Sequence, residues 1–216
     1  MIRLTKLQVP AHVAERLASR AERYAELLAQ GGEIPDSVAN GYNHPDVKAL
    51  LRQETADKCA YCESKVSHVD YGDIEHILSK HHRDDLRFDY ANLTYACGVC
   101  NNKKRAYHNE EIPLLNPYQD EPEQHLAAYG PMVMRIPTSD RGLVTERRLD
   151  LNRGELVERR MERLEQIETL MDQLSRTTNA AIRMVLEEQI RQECEADKEY
   201  AFVVRSFVSC TREHVS

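Results

Sequence analysis

Cys59-Ala60-Tyr61-Cys62 and Cys97-Gly98-Val99-Cys100 frame Asp73-Ile74-Glu75-His76-Ile77 and Asn92-Leu93, and Asn101-Asn102-Lys103-Lys104 follows at once. Each CxxC pair places two sulfurs on one side of a tight turn, and two such pairs complete the tetrahedron that zinc prefers. Four sulfurs leave no open coordination position, so a structural Zn²⁺ held by Cys59, Cys62, Cys97 and Cys100 is expected rather than a catalytic one. The competing readings are chance spacing and a redox dithiol. Cys194 and Cys210 stand alone in helical surroundings and read as ordinary buried or partly buried residues.

Outward from this core, composition narrows the class. Charged residues make up 30% of the 216 residues against 41% hydrophobic, which suits a helix-rich protein with a real core. No apolar run approaches the roughly 18 residues of a membrane span, and Met1-Ile2-Arg3-Leu4-Thr5-Lys6 lacks the apolar stretch of a signal peptide. A cytoplasmic location is expected, where paired cysteines hold metal more often than they form disulfides. The net charge of -7 gives no general attraction to nucleic acid. Locally, Lys80, Arg83, Arg87, Lys103, Lys104 and Arg105 oppose Asp84, Asp85 and Asp89.

Apolar spacing of three or four residues at Val13, Leu17, Ala21, Tyr24 and Leu28 predicts a helix over 11–30, closed by Gly31-Gly32. A short helix is expected near Asp46 to Thr55, a turn and hairpin over Cys59 to Val69, and a short strand over Asp73 to Leu78. Residues 112 to 150, with five prolines from Pro113 to Pro137, read as mostly loop. Beyond Asn152, Val157, Met161, Leu164, Ile167, Met171 and Leu174 mark one long helix. Ile182, Val185, Leu186 and Ile190 mark a second, after a break at Thr177-Thr178-Asn179. The expected division is 1–57 helical, 58–110 core, 111–152 loop-rich connector and 153–216 helical hairpin or bundle.

The Glu75-His76 pair, Asn92 and Asn101, bracketed by four cysteines and with a CxxCNxxK pattern opening at Cys97, resemble the HNH endonucleases. That resemblance implies an α+β, mainly helical chain around a ββα-metal core. It implies His76 as general base, since imidazole titrates near neutral pH. Glu75 and Asn101 would be oxygen ligands of a catalytic Mg²⁺ or Mn²⁺, with Asp73 a lesser candidate. In the family the central asparagine steadies the base or its loop, a role that falls to Asn92. Lys103, Lys104 and Arg105 would contact backbone phosphates without reading sequence. The chain departs from the commonest pattern by having Glu before the base and Asn at the third position; both exchanges keep an oxygen ligand.

Lys58 to Glu63, Ile74 to Lys80, Leu114-Leu115-Asn116-Pro117-Tyr118 and Leu149 to Arg153 are similar to PtuB-type HNH proteins of Septu anti-phage systems and some retrons. This likeness implies an anti-phage nuclease working with an ATPase subunit, on DNA by preference or on RNA. The alternatives are a catalytically silent zinc module that binds nucleic acid or protein, and a self-standing restriction-type endonuclease.

Overall fold

The computed structural model describes residues 1–66 and 71–213. Ser67, His68 and Val69, part of the expected hairpin, lie outside the described residues. The chain forms two compact units, one of Leu4–Ala60 with Val66–Glu110, the other of Met1–Arg3, Tyr61–Lys65 and Glu111–Ser216.

The first unit opens with α1 (Ala11–Ala29), whose Val13 and Leu17 are buried. After α2 (Asp36–Ala39) comes α3 (Pro45–Thr55). Pro45 occupies the first helical position, where a missing N–H costs nothing, and His44 caps the helix by accepting from Asp46 N at 3.3 Å. Val47 and Leu51 are fully buried on its inner face. Strands β1 (Asp73–His76) and β2 (Leu93–Ala96) pair antiparallel, with Asp73 opposite Ala96 and His76 opposite Leu93. Gly72, at φ +61, starts β1; a Cβ there would lie 2.4 Å from the Tyr95 ring. Only glycine fits both that backbone and that approach. Helix α4 (Gly98–Lys104) follows β2 at once. Strand, strand and short helix give the small sheet-and-helix core expected, within a chain that is mainly helical α+β.

The second unit corrects the reading of residues 112–150 as loop. It contains a hairpin, β3 (Leu126–Tyr129) with β4 (Met132–Arg135), and α5 (Asp140–Arg148) capped by Ser139 Oγ. Then come α6 (Gly154–Arg176), α7 (Ala180–Glu193), which Asn179 caps through its Oδ1, and α8 (Ala201–Glu213). The inner face of α6 also differs from the expected one. Leu156, Arg160, Leu164 and Ile167 are buried, while Met161 is 47% exposed. Arg160 explains the shift. Its Nη1 donates to Leu151 O at 2.8 Å and Pro131 O at 3.2 Å, and its guanidinium lies 5.9 Å from the Tyr200 ring. A buried cation with such partners can hold a core position that hydropathy would assign to solvent. Cys210, expected to be at least partly buried, is exposed on α8, while Cys194 is half-buried.

Truncating Arg160 strips the Leu151 and Pro131 carbonyls of their donor and opens a cavity. Arg160→Ala is expected to cost about 2 to 4 kcal/mol of stability, read as a lower denaturant midpoint, with Arg160→Met intermediate because it keeps the packed stem.

Candidate active site and cysteine metal centre

The Sγ atoms of Cys59, Cys62, Cys97 and Cys100 all lie within 4.8 Å of one another. Tetrahedral sulfurs about 2.3 Å from a zinc would be about 3.8 Å apart, so the four residues fit such an ion and could bind zinc. Cys97 is also the N-cap of α4, its sulfur accepting from Cys100 N at 3.4 Å. The cluster thereby fixes where α4 begins.

Helix α4 carries the next layer. Asn101 Nδ2 donates to Asp73 Oδ2 at 2.9 Å, so its Oδ1 remains the acceptor atom. One turn after Cys100, Lys104 Nζ donates to Glu75 Oε1 and to His76 O, each at 2.7 Å. Lys104 is 1% exposed. Expected on phosphates, it is instead an internal counterion, and it is the lysine that closes the CxxCNxxK pattern. Lys103 and Arg105 are exposed, Arg105 just beyond the helix at φ +51. Asp73 and Glu75 sit two apart on β1 and so share a face. Burial pushes the Glu75 carboxyl above its usual range, against the opposing pull of Lys104.

His76 is the last residue of β1, and it lines one cleft of about 350 Å³ together with Glu75, Tyr42, Ser79, Lys80, Asn101, Lys104 and Arg105. His76 Nε2 is 2.9 Å from Arg87 O. A carbonyl only accepts, so Nε2 carries the proton and Nδ1 the lone pair. Burial, with the positive charges of Lys80, Arg87 and Lys104, pushes the imidazole down to about 4 against the pull of the Arg87 carbonyl. The ring is therefore neutral near pH 7. Asn92 works one step back. Its Oδ1 accepts from Leu78 N at 2.8 Å and its Nδ2 donates to Leu78 O at 2.9 Å, while its own carbonyl accepts from Ile77 N. It staples the chain that leaves His76.

Tyr42 was not foreseen. Its ring meets His76 edge-on, centroids 4.5 Å apart, and its hydroxyl accepts from Lys80 Nζ at 2.6 Å. Nothing local in the sequence singles it out. Lys104 had a signal, since position i+4 from Cys100 falls on the same helix face. His82 and His108 are exposed and stack on each other, ring centroids 4.6 Å apart.

Residues 59–106 match the HNH endonuclease family. The chain is also 27% identical to the Septu protein PtuB of Bacillus thuringiensis over 124 residues, 57% of this chain and 46% of that protein. A Septu protein PtuB of Bacillus mycoides (strain KBAB4) is 27% identical over 189 residues, 71% of this chain and 64% of that protein. The chain thus spans about half to under two thirds of the length of these relatives. The HNH match runs from the first cysteine to just beyond α4, so it takes in the cysteine cluster together with Glu75, His76, Asn92 and Asn101.

Because α4 starts on the cysteine cluster and ends on Glu75, Cys59→Ser is expected to release the bound metal and lower the melting temperature. Elemental analysis beside thermal denaturation checks this; a variant that stays metal-free and as stable as the parent would show that the cluster holds nothing structural.

Proposed function

We propose that this chain is a metal-dependent HNH phosphodiesterase that cuts nucleic acid, DNA by preference, as the nuclease subunit of an anti-phage defence complex with an ATPase. The observation that carries the reading is His76, its Nε2 set against the Arg87 carbonyl so that Nδ1 holds the lone pair, lining one cleft with Glu75 and Asn101. Zn²⁺ is the ion proposed for the four cysteines, since a closed thiolate set suits a structural site.

His76 Nδ1 takes the proton from an attacking water, and the Arg87 carbonyl holds the ring as it becomes charged. Asn92 keeps the segment after His76 from shifting, so the base stays at the cleft. The hard oxygens of Glu75, Asp73 and Asn101 fit Mg²⁺ or Mn²⁺ rather than zinc. Such an ion, when bound, would supply charge neutralisation on the phosphate and on the departing 3′ oxygen. Lys104 fixes the Glu75 carboxylate and, through His76 O, the backbone of the base. Defence and the ATPase partner rest on the likeness to the PtuB proteins.

One observation favours the second reading, a silent metal-bound module: the buried pair with Lys104 already gives Glu75 a structural use. The two readings part at His76. His76→Ala is expected to lower phosphodiester cleavage by about 10² to 10⁴, with folding and zinc content unchanged, and cleavage is expected to need Mg²⁺ or Mn²⁺. A nuclease assay of the purified chain, alone and co-expressed with an ATPase subunit of a Septu-type system, reads this. Equal cutting by parent and variant would remove His76 from the mechanism, and vigorous cutting by the lone chain would favour a self-standing endonuclease.

A further inference from the structure

The cations around the cleft differ in what they are bound to. Lys104 is committed to Glu75 and His76 O. Arg83 donates twice to Asp85, at 2.9 and 2.6 Å, and Arg87 lies against Asp84. Of the cleft-lining cations, Lys80 and Arg105 bond to no carboxylate among the described residues. Arg105 Nε donates only to Asn102 O, from an exposed position. Lys80 is half-buried and far more constrained: Nζ donates to Tyr42 Oη at 2.6 Å and Asn40 Oδ1 at 3.2 Å, and lies 4.9 Å from the Tyr42 ring centroid.

Both polar acceptors of Lys80 are neutral, so its full charge stays uncompensated where solvent is partly excluded. An ammonium has three donors; two are used and one remains. Such a group is a ready anion site, because an arriving anion regains Coulomb energy that water supplies only in part. The place of that charge is set by Tyr42, whose ring meets His76 edge-on. One side chain thus supports the base on its edge and the cation on its hydroxyl. Both flank a cleft of about 350 Å³, room for a phosphate with its sugar.

We propose that Lys80, held by Tyr42 and Asn40, is the cleft's phosphate-binding residue and seats the backbone phosphate of a nucleic-acid strand beside His76. This rests on the reading of the cleft as a phosphodiester-cleaving site. The phosphate contact thereby moves from Lys104, which is buried, to Lys80.

The test measures binding apart from turnover. In the full-length His76→Ala background, without added divalent ions, anisotropy of a fluorescein-labelled DNA duplex about two helical turns long is followed across a salt series. Lys80→Met is expected to weaken binding about tenfold and to flatten the log K against log salt slope by about 0.9, one phosphate contact. Tyr42→Phe, which loses the hydroxyl and keeps the ring, is expected to fall between, and Lys80→Arg to restore most of the affinity. Arg159→Gln on α6 makes the same change in net charge at an exposed residue that does not line the cleft and is expected to bind like the background. Circular dichroism and zinc content confirm that each variant is folded. Binding by Lys80→Met within twofold of the background at an unchanged slope overturns the proposal, as does a background that binds no duplex. Displacement of the duplex by inorganic phosphate at equal phosphate concentration overturns the strand and leaves a small-anion site. Cleavage that survives His76→Ala removes His76 from the mechanism and leaves the Lys80 proposal standing, since the binding comparison does not use turnover.

Discussion

Lys104 reaches Glu75 and the His76 carbonyl from the last residue of a helix only seven residues long. A helix that short does not persist on its own in water, so its two ends must be held. Cys97 and Cys100 hold the start, and the buried ion pair holds the end. A buried ammonium is tolerated only when its partners are in place, so the Glu75 carboxylate and the last residue of β1 are pinned as firmly as the helix. Spacing does the rest: Cys100, Asn101 and Lys104 fall within one turn, and β1 presents Asp73 and Glu75 to them two residues apart. The cysteine cluster and the cleft are therefore one construction, joined through α4, rather than a stabilising module beside a catalytic one.

The same pairing accounts for the electrostatics. Residues 76–108 look basic when charges are counted along the chain, yet Arg83, Arg87 and Lys104 each face a carboxylate. Counting cannot distinguish a cation spent on an internal partner from one open to an arriving phosphate. Only geometry shows that Lys80 rests on a phenol and an amide while Lys104 is sealed behind Glu75. With a net charge of -7 around it, a cleft with so few uncommitted cations gives weak, salt-sensitive attraction to nucleic acid.

The core was legible because metal and acid–base chemistry tie residue types to fixed separations. Two CxxC pairs, an acid beside a histidine and an asparagine directly after Cys100 can be read without knowing any contact. Periodicity located α1, α6 and α7 and the buried face of α1 at Val13 and Leu17, but not the whole face of α6, since hydropathy cannot anticipate that Arg160 donates its Nη1 to two carbonyls and takes the inner position while Met161 faces solvent. The prolines between 113 and 137 misled for a definite reason: they sit at ends and turns. Pro122 opens a 3-10 turn, Pro131 falls in the β3–β4 turn, and Pro137 follows β4. Tyr42 was invisible because its role depends on tertiary contact with a histidine in a distant segment.

The placement of Tyr61–Lys65 bears on what the C-terminal helices can do. Glu63 Oε2 accepts from Phe202 N, Ser64 Oγ meets Tyr200 Oη at 3.0 Å, and Lys65 N donates to Glu199. The residues just after the first cysteine pair are thus packed with α8 in one unit, and the buried faces of α6, α7 and α8 are occupied within that unit. A subunit docking on these helices has only their outer faces to use. On α7 that face is apolar: Ile182, Met184 and Val185 are all exposed, Val185 at 66%. The stripe that periodicity assigned to packing is thus split. Leu186 and Ile190 serve the fold, and the neighbours that complete the apolar pattern are left to solvent.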